Sequence, residues 1–323
     1  MKQTSLASGG WSLKTKVTRR ARFLAEMDAV VPWERLIAVI EPHYPKASTG
    51  RPRPPLALLL RVYFMQQWFN LSDPAMEDAL YDSESMRRFA GIDPGLDVVP
   101  DESTILRFRH LLEKHGLGQQ LFDAVRGLLE ERGLLVKSGT IVDATIIEAP
   151  PSTKNAQKAR DPEMRQTRKN RQWHFGMKVH VGTDRRGIVH SLVTGPASQA
   201  DISRLDDLVH GQERELFGDQ AYWSEDHRLH CREAGIAYRM NRRPRYRHPL
   251  TEQQRRINRA RSRCRARGEH AFHVVKRLWG FTKVRYRGLY KNTVRALTSF
   301  ALANLYLLRK KLMPAQERCV QWA

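Results

Sequence analysis

Apolar residues recur every three or four positions between about residues 23 and 133, which is the spacing of amphipathic α-helices. Ser72 and Asp101 are suitable N-cap residues, and Gly91, Gly116 and Gly133 stand where helices should end. The predicted helices run from the proline-rich residues 51–55 through Phe69, from Ser72 to Gly91, from Asp101 to Gly116 and from Leu117 to Arg132. The first part of the chain is therefore predicted to be all α.

The pattern changes after Leu134 to runs of β-branched residues. Residues 139–148 are almost continuously apolar around Asp143, which is typical of a central strand covered on both faces. The other predicted elements are a loop at 149–170, a hairpin of strands 173–183 and 188–194, a helix at 201–209, strands at 215–222 and 236–240, and a basic helix at 251–278. This order predicts an α/β fold, with a mixed sheet flanked by helices.

The charge balance narrows the class of partner. The 323 residues include 56 Lys and Arg against 34 Asp and Glu, a formal charge of +22. Eighteen of the basic residues fall between positions 231 and 290, beside only three acidic ones. Such an excess favours a polyanion, because cations that neutralise phosphates release condensed counterions. Nucleic acid is the first candidate, and an anionic membrane surface is a much weaker one.

Two basic features of the first 133 residues have alternative interpretations. Residues 1–22 carry six basic residues and no acidic one, which suits either an arm that follows a phosphate backbone or a solvated terminus. Arg87, Arg88, Arg107 and Arg109 suit either a helix-turn-helix reader of DNA or a helical bundle with exposed arginines.

Several classes of protein are disfavoured by simple spacing. Cys231, Cys264 and Cys319 are too far apart in sequence for a paired zinc or redox motif. His174, His180 and His190 have no evident fourth ligand for zinc. The longest apolar run, residues 56–60, is far shorter than the roughly 20 residues of a membrane span. We therefore expect a soluble cytoplasmic protein.

Two aspartates interrupt predicted strands. Asp143 lies in the middle of the 139–148 run, and Asp219 lies between Phe217 and Ala221. A buried carboxylate without a partner is costly, so each needs an arginine, a metal ion or a place at an exposed strand end. Two such carboxylates on neighbouring strands also match the oxygen ligands that Mg²⁺ prefers. The strands alone leave these explanations open.

Helix geometry suggests a third carboxylate. On one continuous helix over 251–278, at about 100° per residue, Glu269 shares a polar stripe with Arg265 and Lys276. Glu269 would then lean over the sheet edge toward the two aspartates. The alternative is an Arg265–Glu269 ion pair on a solvated helix face. The residues predicted to pack on the sheet are Ala271, Phe272, Val274, Val275, Leu278 and Trp279.

Motifs at 66–76, 100–105, 141–155, 218–222, 265–276 and 280–288 occur in one order along nearly the whole chain. Asp143 and Asp219 are 76 residues apart, and Asp219 and Glu269 are 50 apart. Together these motifs resemble the IS-five group of bacterial insertion-sequence transposases. In the Tyr-x2-Arg-x3-Glu-x6-Lys signature of the wider group, Arg265, Glu269 and Lys276 match, whereas Ser262 stands in place of the tyrosine.

The resemblance implies an RNase H-like catalytic domain with Asp143, Asp219 and Glu269 as its catalytic and metal-binding triad. It implies two Mg²⁺ ions, for which Mn²⁺ can substitute. It also implies a homodimer on double-stranded DNA that binds terminal inverted repeats, cleaves the element ends and joins the 3′-OH to target DNA. A bacterial, nucleoid-associated cytoplasmic location follows. A non-catalytic DNA-binding regulator and a nuclease without inverted-repeat specificity remain the alternatives.

By similarity, Arg265 and Lys276 would hold phosphates near the cut. Further residues expected to contact DNA in the same basic region are Arg261, Arg267, Lys283, Arg285 and Arg287. The corresponding domain ranges are a basic arm at 1–22, a helical domain for transposon-end binding at 23–133, the catalytic domain at 134–312 and a tail at 313–323.

Overall fold

The computed structural model describes residues 16–45, 53–93, 95–154, 156, 158–169, 171–244 and 249–313. The first fifteen residues of the predicted arm and, apart from Met313, the predicted tail lie outside these ranges. The described residues up to Val125 and from Leu305 onward form one compact unit, and Arg126–Asn304 forms another. The predicted domain ranges, which also assign functions, stay predictions.

The first unit is helical, as the sequence predicted. Its helices within the described ranges, the last of which continues into the second unit, are α1 (Arg19–Val30), α2 (Trp33–Ile40), α3 (Leu56–Phe69), α4 (Asp73–Asp82), α5 (Glu84–Ala90), α6 (Glu102–Lys114) and α7 (Leu117–Glu131). Thr18, Ser72 and Asp101 cap α1, α4 and α6, because their side chains accept backbone N–H groups that have no partner inside the helix. α3 is buried along most of its length and forms the centre of the core.

Two details of this unit differ from expectation. The helix predicted from Ser72 to Gly91 is wrong, because Ser83 has an extended backbone (φ −107°, ψ 106°) and separates α4 from α5. Serine side chains compete with the helical backbone for hydrogen bonds, which favours such a break. The last part of the predicted basic arm, from Arg19 onward, is helical, since the Thr18 cap starts α1 there.

The arginines of the predicted basic helix faces are of two kinds. Arg88 and Arg107 are exposed, as an external face requires. Arg109 is buried between two carboxylates, and Arg87 is half-buried with a hydrogen bond to the carbonyl of Leu80 at 2.9 Å. The structure therefore corrects the expectation for Arg87 and Arg109, which contribute to the interior of the bundle.

The second unit is built on a mixed sheet. Within the described residues its strands are β1 (Gly139–Glu148), β2 (Arg165–Lys169), β3 (Gln172–Asp184), β4 (Val189–Pro196), β5 (Glu215–Gly218) and β6 (Ala237–Met240). β3 pairs antiparallel with β1, β2 and β4, while β5 lies parallel to both β1 and β6. This confirms the predicted fold class, an α/β, RNase H-like sheet preceded by an all-α region.

β2 is an element that the sequence did not predict, because residues 165–169 were assigned to a polar loop. The segment Arg-Gln-Thr-Arg-Lys has no apolar alternation to mark a strand. β3 extends beyond its pairing with β1, which covers only residues 176–184, so its first residues offer unpaired backbone groups. β2 pairs with these residues, with Arg165 opposite Gly176 and Lys169 opposite Gln172.

Helices flank the sheet. Those of this unit within the described residues are α8 (Leu205–Leu208), α9 (Glu225–Glu233), α10 (Glu252–Arg265), α11 (Glu269–Phe272) and α12 (Leu289–Leu312), the last of which continues into the first unit. The sequence predicted neither α9 nor α12. On one face of the sheet, Val142 and Leu216 pack with Leu205, Leu208 and Tyr222 in a buried apolar cluster. In the described part of the chain, no helix combines the length and apolarity needed to cross a bilayer.

The helix predicted over 251–278 is wrong because it is interrupted. α10 ends at Arg265, residues 266–268 form a turn, and α11 starts at Glu269. Gly268 lets this turn approach the sheet closely: a Cβ added there would lie 3.2 Å from Cγ2 of Ile141 and 3.3 Å from Oγ1 of Thr183. A glycine inside a run of good helix formers gave no clear sign of this contact.

The predicted packing face of this region is correct in most positions and wrong in one. Ala271, Val274, Val275 and Trp279 are buried, as expected. Leu278 is 51% exposed. Residues His273–Leu278 form a π-helical turn, in which each turn holds more residues than an α-helix, so the angle of 100° per residue no longer applies.

Candidate active site

Asp143 projects from the middle of β1. Because side chains alternate along a strand, it lies on the face opposite the core residue Val142. Its Oδ2 lies 3.4 Å from an Nη atom of Arg265, and its Oδ1 accepts the backbone N–H of Ala144 at 2.8 Å. The side chain is 18% exposed. A strand position that would otherwise suit an apolar residue thus holds a carboxylate with one arginine contact.

Asp219 follows the last residue of the neighbouring strand. β1 and β5 are parallel with Ile141 opposite Phe217, so continuing this register by two residues places Asp219 beside Asp143. Its Oδ1 accepts the backbone N–H of Ala221 at 2.8 Å, which caps the short 3₁₀ helix Gln220–Tyr222. The parallel pairing therefore brings both aspartates to the same edge of the sheet.

The glycine before Asp219 is required by packing. A Cβ added to Gly218 would lie 2.5 Å from Sδ of Met240 and 2.9 Å from Cγ2 of Val142. A side chain at this position would force the Met240 and Val142 side chains, or β5 itself, to shift. Gly218 thus helps to keep Asp219 at the level of Asp143.

Glu269 is the first residue of α11, directly after the turn at Gly268 that touches the sheet. Its side chain is exposed, and within the described residues it forms no hydrogen bond or ion pair. The turn, rather than a continuous helix, sets its position. A carboxylate without a protein partner beside two other carboxylates is available to an incoming cation or ligand.

The three carboxylates influence one another electrostatically. Burial raises the pKa of Asp143 above its ordinary value, while Arg265 and the Ala144 N–H oppose this effect. The charges of Asp219 and Glu269 raise the pKa of Asp143 further. Burial and the two neighbouring charges therefore disfavour the ionised form of Asp143, even with Arg265 in contact with it.

Arg265 and Lys276 both reach the face of β1 that carries Asp143. Lys276 donates from Nζ to Oγ1 of Thr145 at 3.0 Å and to the carbonyl of Ile146 at 2.9 Å. Burial lowers the pKa of Lys276, and the nearby charge of Lys169 lowers it further. One cation lies at Asp143 and the other about two residues farther along the strand, although the helix that was expected to align them is broken.

The other residues predicted to contact DNA lie on both sides of this site. The half-buried guanidinium of Arg261 donates to the carbonyl of Met240, whereas the exposed Arg267 donates to the carbonyl of Arg185 at 3.1 Å. Lys283 forms a parallel β-bridge with Glu148, the last residue of β1, and Arg285 and Arg287 come shortly after Lys283 in the sequence. These residues are separate neighbours of the site and do not form one cluster.

The chemistry of the three carboxylates fits a hard divalent cation. Within the described residues, no group of three or more His, Cys, Asp or Glu side chains is close enough to hold a metal ion as it stands. The oxygen donors are nonetheless of the kind that Mg²⁺ prefers, and their mutual repulsion at Asp143 is what a cation would relieve. Asp143, Asp219 and Glu269 are the residues that would hold it.

Four polar side chains near these aspartates, those of Tyr222, Asp201, Lys178 and His180, were not predicted to belong to the site. Tyr222 is buried, and burial together with the charges of Asp201, Asp143 and Asp219 raises its pKa. Lys178 donates to Asp201 at 2.9 Å, and Nδ1 of the fully buried His180 lies 3.7 Å from the same carboxylate. Tyr222 belongs to the 218–222 motif, whereas no local pattern marked the other residues.

Two family models match the chain. Residues 135–305, slightly more than half of the 323 residues, match a model described as "Transposase DDE domain". Residues 11–111 match a second model, described as "Transposase domain (DUF772)". The first match spans the sheet, all three carboxylates, Arg265 and Lys276, and the second ends within α6.

Proposed function

Because the chain belongs to the DDE-domain transposases, whose members cut and join DNA, we propose that it is the transposase of an insertion sequence of the IS-five group. It binds the terminal inverted repeats of its element, cleaves the DNA at the ends and joins the freed 3′-OH to target DNA. The observation that carries the proposal is that Asp219 and Glu269, which are distant from Asp143 in sequence, lie close enough to it in the fold for their charges to raise its pKa.

Asp143, Asp219 and Glu269 are the proposed catalytic and metal-binding residues. Two bound Mg²⁺ ions, or Mn²⁺ in their place, would supply Lewis-acid activation of the attacking and leaving oxygens in an in-line displacement at phosphorus. Asp143 lies within β1 and Asp219 directly follows the adjacent strand β5, whereas Glu269 is the first residue of α11, after the turn at residues 266–268. Burial raises the pKa of Asp143, and the negative charges of Asp219 and Glu269 raise it further, so a cation bound among the three carboxylates would favour the ionised form of Asp143.

Arg265 and Lys276 are proposed to hold phosphates on either side of the cut. The arginine offers a planar fork for two phosphate oxygens, and the lysine acts as a point charge. Lys276 is held in place by Thr145 and the Ile146 carbonyl, so its ammonium is positioned before DNA binds. Further phosphate contacts are proposed for Arg261, Arg267, Lys283, Arg285 and Arg287.

The reaction needs two successive displacements at the same site. Water attacks the phosphodiester at the element end, and the bond to the 3′-oxygen breaks to leave a free 3′-OH. That hydroxyl then attacks a phosphodiester of the target, and the leaving 3′-oxygen is released from the target strand. The number of phosphodiester bonds is conserved in the second step, so strand joining needs no separate energy source.

The helical region of residues 23–133, together with the arm of residues 1–22, is proposed to bind the transposon ends. Two ends must be paired before they are joined to one target, which favours a homodimer on DNA. The bacterial nucleoid is the expected location. The formal charge of +22 supports both the binding of transposon ends and the location at the nucleoid, because a large positive charge favours association with DNA.

Cleavage and joining of a labelled duplex that carries the element's own terminal repeats test this function. The reaction is measured with Mg²⁺, with Mn²⁺ and with EDTA, for the wild type and for Asp143→Asn, Asp219→Asn and Glu269→Gln. Metal-dependent nicking at the repeat boundary with joined product, lost in each single variant, is the expected result.

Other results would identify the alternatives. Tight binding to the repeats without cleavage by the wild type would indicate a DNA-binding regulator. Cleavage that ignores the repeats and gives no joined product would indicate a nuclease. Cleavage that survives every single substitution would remove the triad from the mechanism.

A further inference from the structure

The start of β3 and the whole of β2 form a two-stranded projection that none of the proposed DNA contacts includes. We name residues 165–169 and 171–176 the basic ribbon. Within it, Arg168, Lys169 and Arg171 are exposed, and so is Trp173, at 68%. The sequence from 165 to 176 contains no acidic residue. A large exposed indole among uncompensated cations is an unusual surface for a structural strand pair.

The local contacts of the ribbon leave its cations available. Within the described residues, Arg168, Lys169 and Arg171 take part in no ion pair, although many other arginines of this unit do. The guanidinium of Arg168 lies 5.9 Å from the centre of the Trp173 ring, directly across the strand pair. Backbone pairing with β3 therefore holds a cation and an aromatic ring together on one face.

The ribbon is anchored to the strand that carries Asp143. His174 Nδ1 lies 3.0 Å from Oε1 of Glu148, the last residue of β1. Glu148 is five residues from Asp143, which is about 16 Å along a strand at roughly 3.3 Å per residue. The contacting residues lie farther along: Trp173 is eight residues along β3 from Val181, the partner of Asp143, which is about 26 Å at the same rise. The duplex rises about 3.4 Å per base pair, so the pair of Arg168 and Trp173 lies about eight base pairs of DNA from Asp143.

Two further observations orient the ribbon toward the same site. By strand alternation, Trp173 is on the face of β3 that also carries Val181, the partner of Asp143 across the sheet. Lys169 is close enough to Lys276 for its charge to lower the pKa of that lysine. Lys169 and Lys276 therefore lie close enough to influence each other electrostatically.

We propose that the basic ribbon is a DNA-contacting element of the active site. Arg168, Lys169 and Arg171 neutralise backbone phosphates about eight base pairs from the scissile phosphate, and Trp173 packs against a base or sugar in the same stretch. This inference rests on the proposed function for the identity of the DNA. The partner it requires is a duplex that continues past the cut.

The salt dependence of binding tests the phosphate contacts. The ribbon variant is Arg168→Ala with Arg171→Ala in the full-length protein. Its matched control is Arg214→Ala with Arg232→Ala, two exposed arginines before β5 and on α9. Affinity for the repeat duplex is measured from 0.1 to 0.5 M NaCl by fluorescence anisotropy. Because each phosphate contact contributes about 0.9 to the slope of log K against log salt, we expect the ribbon variant to lose about 1.8 and the control to keep the wild-type slope.

The role of Trp173 is tested separately. Stacking and apolar contacts release no counterions, so Trp173→Ala should weaken binding by about tenfold without changing the salt slope. Trp173→Phe should keep most of the affinity. Hydroxyl-radical footprinting should show lost protection about eight base pairs from the cleavage position in the ribbon variant and full protection in the control.

Failure of this inference differs from failure of the proposed function. Equal slopes and footprints for the ribbon variant and the control, with both still cleaving the repeats, would overturn the ribbon contact and leave the transposase intact. A wild type that never cleaves the repeats would overturn the proposed function. If the salt slope were then still smaller in the ribbon variant than in the wild type and the control, the ribbon would be supported as a DNA contact.

Discussion

Each unit contains an arginine that lies among more than one carboxylate, Arg109 in the helical unit and Arg265 in the α/β unit. In the helical unit, Arg109 lies 3.0 Å from Asp73 and 2.9 Å from Glu113. Asp73 also accepts the side-chain amide of Gln66 at 2.8 Å. These side chains are 16% exposed or less, and their charges contact one another directly.

The group in the α/β unit is open. Arg265 contacts Asp143 at 3.4 Å, but the negative charges of two further carboxylates, Asp219 and Glu269, also act on Asp143 and raise its pKa. Glu269 is exposed. The same residue types therefore give a closed structural network in one unit and an excess of negative charge in the other. What separates them is mainly Glu269, which is exposed and accepts no side-chain hydrogen bond within the described residues, whereas both carboxylates around Arg109 contact that arginine directly.

The largest expected effect separates the two groups by activity. We expect Asp219→Asn to reduce cleavage of the repeat duplex by about a thousandfold or more, because it removes a metal-binding carboxylate, while the unfolding transition barely moves. Glu215→Gln, at the other end of β5, is the matched control and should retain activity. The comparison would fail if Asp219→Asn cleaved within tenfold of the wild type.

The second effect separates them by stability. We expect Arg109→Ala to lower the free energy of unfolding of the helical unit by about 3–5 kcal/mol, because two buried carboxylates lose their cation. Urea denaturation measures this change. Arg107→Ala, on the same helix but exposed, should cost less than about 0.5 kcal/mol. Similar losses for both variants would mean that the closed network contributes little.

The two groups also differ in how well the sequence predicted them. Asp143 and Asp219 were visible because carboxylates in apolar strands need an explanation, and parallel pairing then made them neighbours. Arg109 was assigned to a basic helix face, because its partner Asp73 is 36 residues away and only the tertiary fold buries the pair. Local sequence patterns thus indicated the group around Asp143 more readily than the buried ion pairs of Arg109.

Helices and central strands were predicted well where caps and apolar periodicity agree. The break at Gly268 and the strand β2 were not, since both depend on contacts with distant residues. At Gly268 a Cβ would crowd Ile141 and Thr183, and β2 exists because β3 extends beyond its pairing with β1. Glu269 was chosen as a candidate from helix geometry, but that geometry does not occur in the structure, because the turn at residues 266–268 interrupts the helix.

A smaller effect comes from a buried group that is neutral instead of charged. Burial lowers the pKa of His180 to about 4, below an unfolded value of about 6.5. The unfolded chain therefore binds a proton first as the pH falls, and the contribution of His180 to stability is present above about pH 6.5 and lost toward pH 4. We expect the wild type to lose about 2 kcal/mol more than His180→Gln between pH 7 and pH 5.

Urea titrations of the α/β unit at the two pH values measure this difference. His270→Gln is the control, because His270 is exposed and its substitution should leave the wild-type pH dependence unchanged. An identical loss of stability in the wild type and in His180→Gln would show that His180 is already protonated in the folded protein or is not buried there.

The smallest expected effect concerns Asp143: its negative charge should lower the thermal stability of the metal-free protein, although the same charge is proposed to be needed for activity. Its pKa is raised in the folded protein, so its ionised form is less favourable there than in the unfolded chain at neutral pH, and this cost disappears in acid, where both states bind the proton. We expect Asp143→Asn to raise the thermal midpoint at pH 7 in EDTA, while Asp226→Asn, on an exposed turn of α9, leaves it unchanged. Added Mg²⁺ should then raise the midpoint of the wild type and not that of Asp143→Asn, because only the wild type gains from placing a cation among its carboxylates. A lower midpoint for Asp143→Asn in EDTA would mean that the contact with Arg265 outweighs the repulsion, and the open group would then resemble the closed one.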